Sequence, residues 1–126
     1  MSIFRVNVVA ANVKDDQLTT APIEVLVDTG SELTWLPKEA LDLASIKSVR
    51  KRSFQTATGH TIERPVGYAI LRAEGFETID EVVLAEPGDL SLLGVRTLEG
   101  FGVMVDNLAH RFVATATIVA IARLVK

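Results

Sequence analysis

Cysteine is absent from these 126 residues, which excludes disulfides, thiolate nucleophiles and cysteine-bound metals at the outset. Histidine is nearly as scarce, and His60 and His110 lie far apart without metal-ligand spacing, so no metal site is expected. No apolar run reaches the roughly 20 residues that cross a bilayer, and the longest candidate, Thr117 to Val125, falls well short. The opening stretch MSIFRVNVVAANV breaks its apolar residues with Arg5 and Asn7, unlike a signal peptide. Neither sign of charge dominates, with 13 Lys and Arg against 16 Asp and Glu. The one basic cluster, Arg50-Lys51-Arg52, reads as a solvated turn rather than a nucleic-acid contact. There is no linker, repeat or low-complexity segment. The expectation is one soluble domain over residues 1–126, acting in the cytoplasm, with neither nucleic acid nor membrane as a partner.

What is present is a sizeable apolar fraction, 48% of the chain, enough for a real core. Its patterning is largely β. Phe4, Val6, Val8 and Ala10 share one parity of a strand over Ile3 to Val13, and the polar KDDQLTT that follows makes a turn. A second apolar run, Ile23 to Val27, delivers Asp28 directly into Thr29, Gly30 and Ser31, and a third strand, Leu33 to Leu36, closes at Pro37. Pro37 to Ala44 reads as a short helix with Ala40, Leu41 and Leu43 toward the core. Arg50 to Tyr68 reads as a hairpin with arms at Ser53 to Thr56 and Thr61 to Glu63. Two further strands, Val66 to Ala73 and Phe76 to Leu84, meet at Glu74-Gly75, and Glu77, Asp80, Glu81 and Glu86 are assigned to a solvated face. Leu92-Leu93-Gly94 precedes a one-turn helix, Val95 to Glu99, capped by Gly100, then a strand from Phe101 to Asp106 and a turn from Asn107 to His110. Leu92, Leu93, Leu98 and Val103 are candidate core residues.

Asp-Thr-Gly arises by chance in about two or three of every hundred chains this long, so the tripeptide alone decides nothing. Asp and Gly also form ordinary hairpin turns. The flanks decide it, because a carboxylate set directly between two apolar strands is not what a surface turn requires. With the Leu-Leu-Gly element downstream, the chain resembles the retropepsin-like aspartic peptidases. The resemblance spans roughly Ile3 to Val113, and its motif-grade parts are these two.

That resemblance implies an all-β, retropepsin-like acid-protease barrel, one lobe per chain, with one or two short helices. It implies Asp28 as the catalytic carboxylate, Gly30 beside it offering its N–H, and Thr29 reaching across to a partner loop. Ser31 would donate its hydroxyl to the outer carboxylate oxygen. Ala57, Thr58, Gly59 and His60 form the tip of a flap that would touch substrate; an ordinary surface hairpin, with His60 facing solvent, is the alternative for that stretch. Viral members carry several flap glycines where this chain has only Gly59, and no flap tyrosine stands where pepsin-type enzymes have one. No metal or cofactor is implied.

Such enzymes need two carboxylates, yet Asp15, Asp16, Asp42, Asp80, Asp89 and Asp106 are not followed by Thr/Ser-Gly. A twofold homodimer pairing Asp28 with its own mate meets the need. The expected activity is therefore hydrolysis of extended peptide or protein segments. The long tail from Arg111 to Val125 would enter an interface sheet through Phe112 to Leu124, or pack within its own subunit. A non-catalytic peptide-binding or dimerisation module of the same fold, and an unrelated β-barrel with an accidental turn, are the competing readings.

Overall fold

The apolar alternation of the first strand becomes structure directly in the computed structural model, which describes residues 4–116. In β1 (Arg5–Ala11), Val6, Val8 and Ala10 are buried while Arg5 and Asn7 face water. The chain continues through β2 (Ile23–Val27), β3 (Thr34–Pro37), α1 (Lys38–Leu43), β4 (Arg50–Gln55), β5 (Thr61–Ala73) and β6 (Phe76–Ala85). After these come β7 (Leu92–Leu93), α2 (Val95–Phe101), β8 (Val103–Asp106) and β9 (Arg111–Ala114). β1 pairs antiparallel with β2 on one side and with β5 on the other. Between those two the order runs β2, β7, β3, β6, β5, so the sheet closes on itself and leaves β4 outside the ring. The all-β, one-lobe barrel with two short helices is thus the observed fold among the described residues.

Inside the ring lies the main core. Val8, Val25, Leu36, Leu71, Val82 and Leu93 fill it, joined by Leu41 from α1 and by Leu98 and Phe101 from α2. Each of the fully buried leucines contributes about 2 kcal/mol of transfer free energy. Phe76, Phe101 and Phe112 pack against one another as tilted rings with centroids 6.1 to 6.4 Å apart, tying α2 and the β8–β9 ribbon to the barrel.

Several sequence expectations are corrected. Asp80 and Glu81 are buried rather than solvated, because the second half of β6 is covered on both faces. Arg50-Lys51-Arg52 is strand rather than turn, and alternation turns Arg50 and Arg52 together onto Glu81. The second helix runs on to Phe101, and Gly102, at φ 73°, is its C-cap; Gly100 lies inside the helix against Thr78. Leu43 is exposed, since only Leu41 and Ala44 fall on the buried side of so short a helix. Leu92 is half-buried, pointing away from the core that takes Leu93. Arg111–Ala114 pairs with β8 of its own chain, and the rest of the proposed interface strand, residues 117–124, lies outside the described residues.

The β4–β5 hairpin, the candidate flap, leaves the barrel at a defined point. β5 pairs with β6 from Val66 to Ala73, whereas residues 61–65 pair only with β4. Pro65, which has no N–H to give, marks that limit. Just inside it, the loop after α1 crosses β5, with Val49 N–H on the Val66 carbonyl at 2.8 Å. A Cβ on Gly67 would stand 2.4 Å from the Lys47 carbonyl oxygen, so only glycine permits the crossing. Gly67→Ala is expected to destabilise the fold by about 1–3 kcal/mol, as overpacking against backbone does. Urea denaturation checks this: an unchanged midpoint would mean that the loop yields without cost.

Candidate active site

β2 ends by handing over its hydrogen bonds one at a time. Val27 N–H donates to the Phe4 carbonyl and Asp28 N–H to the Leu93 carbonyl, both at 3.0 Å. Thr29 and Gly30 then turn, and Ser31 N–H returns to the Asp28 carbonyl at 3.2 Å. Gly30 N–H donates to Asp28 Oδ1 at 2.9 Å. A side chain at position 30 would bring its Cβ within 3.2 Å of the same oxygen, so glycine keeps that approach open. Asp28 is half-buried, and its Oδ2 accepts no hydrogen bond from the described residues. Thr29 is exposed at the crown of the turn. The Ser31 hydroxyl donates to the Leu33 carbonyl at 2.8 Å, not to Asp28, because the carbonyl two residues on is the acceptor nearest its own turn.

Strand register builds a surface beside that carboxylate. Leu26 pairs with Leu92, Leu92 with Trp35, Trp35 with Val83, Val83 with Val66, and Val66 with Arg50. Residues paired across neighbouring strands share a face, so this row crosses the sheet on the side away from the main core. Asp28 follows Leu26 by two residues, and alternation aims its carboxylate to the same side. Leu33, Val66 and Val83 form a small second core there. Half-buried Trp35 and Phe54 meet over it, ring centroids 5.1 Å apart, and so join the strand after the Asp28 loop to the flap strand β4. The result is an apolar strip of sheet surface with Asp28 at one end and the β4–β5 hairpin at the other.

The flap tip is built from residues 56–60. Thr56 N–H donates to the His60 carbonyl at 2.7 Å, Gly59 N–H to the Thr56 carbonyl at 3.0 Å, and His60 N–H to Thr56 Oγ1 at 3.2 Å. Gly59 carries the turn at φ 86°. Ala57, Thr58, Gly59 and His60 are all exposed. Asp28, Thr29, Gly30 and Ser31 thus sit together in one loop, while the four tip residues belong to a separate hairpin whose hydrogen bonds stay within its own turn.

Sequence reasoning missed the charged clamps at the flap's base. Glu81 accepts from Arg50 at 2.7 Å and Arg52 at 3.1 Å, with Arg96 at 3.5 Å. Burial alone would raise its pKa, but the Arg50 hydrogen bond and the charges of Arg52, Arg50 and Arg96 outweigh that and hold it below the ordinary 4.5. Arg64 grips Asp89 through two hydrogen bonds, 2.7 and 3.0 Å long. That grip, against the cost of burial and aided by the Glu86 N–H, holds the Asp89 carboxyl below 3.8. These partners stand 15 to 31 residues apart in the chain, and no local spacing announces them. Among the described residues, no group of three or more His, Asp and Glu converges as metal ligands would, and no helix is long and apolar enough to cross a membrane.

A family model described as aspartyl protease matches residues 9–97, which takes in the Asp28 loop, the flap and Leu92-Leu93-Gly94. No curated protein matches the chain.

The clamps give stability a definite pH dependence. Both folded pKa values are depressed, so their contribution is complete above the ordinary carboxylate values of 4.5 and 3.8 and is lost as pH falls through the lower folded values. Urea midpoints measured between pH 6 and pH 2.5 are expected to drop below about pH 4.5, and Glu81→Gln should flatten the upper part of that drop. An equally steep loss in that variant would show that Glu81 carries none of it.

Proposed function

The chain belongs to the aspartyl protease family, and from that premise we propose that it is a homodimeric endopeptidase in which Asp28 meets Asp28 of the partner subunit. The observation that supports this reading is the carboxylate itself. It is half-buried at the end of a strand, has one oxygen fixed by the Gly30 N–H while the other accepts no hydrogen bond from the described residues, and shares its face with an apolar strip.

Two such carboxylates in contact cannot both ionise comfortably and titrate as a pair holding one proton. The ionised member takes a proton from a water held between them as that water's oxygen bonds to the scissile carbonyl carbon. The protonated member donates to the carbonyl oxygen, giving a tetrahedral diol. In its collapse the C–N bond breaks, the pair's one proton passes to the departing nitrogen, and a diol hydroxyl returns its proton to the pair as the new carboxyl group forms.

Protein segments are the substrates that the family implies. An extended segment laid along the apolar strip would be covered by the exposed flap tip, with apolar side chains on Trp35, Leu92 and Phe54. Thr29, exposed at the crown of the loop, would reach a second copy and lock the two turns together.

Asp28→Asn is expected to lower turnover of a peptide library by roughly a thousandfold or more while leaving the circular dichroism spectrum and urea midpoint in place. Substantial residual activity would remove Asp28 from the chemistry. Activity should peak at acidic to mildly acidic pH, where the pair holds its single proton, and fall away above neutrality.

Thr29→Ala should weaken self-association about tenfold, the scale of one or two hydrogen bonds, without shifting the stability of the monomer. Analytical ultracentrifugation reads this, and unchanged association would contradict the bridging role.

A further inference from the structure

Behind the Asp28 loop runs a buried polar chain that the proposed reaction does not use directly. Gly94 N–H donates to Thr34 Oγ1 at 3.0 Å, Thr34 Oγ1 lies 2.6 Å from Thr97 Oγ1, and Thr97 Oγ1 donates to Asp80 Oδ2 at 2.8 Å. Thr34 and Thr97 are fully buried and Asp80 is 9% exposed. Asp80 Oδ1 accepts the Glu81 N–H at 2.8 Å, so the carboxylate accepts at both ends.

This fixes the direction of every bond. The single proton of Thr97 is committed to Asp80, so Thr34 must give its own proton to Thr97 and receive the Gly94 N–H. The chain therefore reads one way, from the Gly94 amide through two hydroxyls to the Asp80 carboxylate, an arrangement in which each bond strengthens the next.

Its first donor is half of one peptide unit. The N–H of Gly94 and the carbonyl of Leu93 belong to the same plane, and that carbonyl accepts the Asp28 N–H at 3.0 Å. The plane cannot be replaced by another residue's, since a Cβ on Gly94 would lie 2.4 Å from the Leu33 carbonyl oxygen. We infer that Asp80, Thr97 and Thr34 are positioning residues that orient the Leu93–Gly94 peptide and through it the backbone of Asp28. The inference rests on the proposed catalytic role of Asp28. It adds that Asp80, a buried acid on another strand, acts on that residue without touching substrate.

Asp80→Asn keeps the shape but not the direction. An amide has one acceptor oxygen where the carboxylate uses two, so either the Glu81 N–H or the Thr97 hydroxyl meets an NH2 group. Thr97→Val removes the middle link, and Thr97→Ser retains it.

The test is amide hydrogen exchange on the full chain, read beside peptide hydrolysis. In Thr97→Val and in Asp80→Asn, exchange at Asp28 and Gly94 should rise about tenfold with Val8 and Leu71 unchanged, the scale of one lost hydrogen bond. In the same variants kcat should fall about tenfold while KM stays within about twofold, and Thr97→Ser should return both readings to near wild type. Unchanged exchange at Asp28 overturns the inference, as does a rise shared equally by Val8 and Leu71, which would mean general loosening. Should Thr97→Val not fold, Asp80→Asn carries the same comparison. Wild-type protein inactive on every peptide would count against the proteolytic reading and not against this one, which the exchange data decide.

Discussion

Everything about the Asp28 loop depends on a two-residue strand. Leu92 and Leu93 lie between β2, which they meet in parallel, and β3, which Leu92 meets antiparallel. A ladder so short has little stability of its own. It persists because Leu93 is fully buried in the main core and because Gly94 presses against the Glu32 and Leu33 carbonyls without a side chain to keep them apart. Asp28 N–H donates to this strand, and Val95 and Arg96 donate back to the Ser31 and Glu32 carbonyls. The turn that carries the carboxylate is therefore held from below at both ends.

The closed sheet then divides labour between its faces. One face supplies the barrel core, from Val8 through Leu71 to Leu93. The other carries the row Leu26, Leu92, Trp35, Val83 and Val66, which only the small second core covers, leaving its outer members half-exposed. The flap belongs to this second face, and its anchoring is uneven along its length. At the base, Glu81 and Asp89 hold three arginines of β4 and β5. Toward the tip, beyond Phe54, only the β4–β5 ladder and the Thr56 turn remain among the described residues. A hairpin fixed at its root and lightly tied at its end is compatible with the proposed role of a cover that admits and releases a strand.

The parts of this arrangement that show in the sequence are those carried by local pattern. Alternation in Ile3 to Val13 and the apolar flanks of Asp28 place their strands. Pro37 opens a helix, and Leu-Leu-Gly at 92–94 marks the strand behind the loop. Asp80 and Glu81 read as solvated because alternation cannot report that both sides of β6 become covered, a fact settled by β3 and α2 from elsewhere in the chain. Arg50-Lys51-Arg52 reads as a turn for the same reason: its arginines satisfy a carboxylate some 30 residues later. Thr34, in an otherwise apolar strand, was the one visible hint of a buried polar chain, and nothing local names its partners 60 and 63 residues away. The helix stop slipped from Gly100 to Gly102 because two glycines compete and only the second takes the left-handed conformation.

The environments of the other aspartates bear on where the proposed reaction would find its second acid. Asp80 spends both oxygens on the Glu81 amide and Thr97. Asp89 is gripped by Arg64, and Asp106 caps its own turn through the Leu108 and Ala109 amides. Asp15 holds the Gln17 amide, and Asp16 and Asp42 are exposed on polar surface. Each of the structurally engaged acids could be drawn toward Asp28 only by breaking bonds that hold the fold. Asp28 alone combines partial burial, an oxygen free of protein donors and an apolar neighbourhood. In the proposed dimer a like acid would come from the identical loop of a second copy, and association would then supply what the fold of a single chain has committed elsewhere.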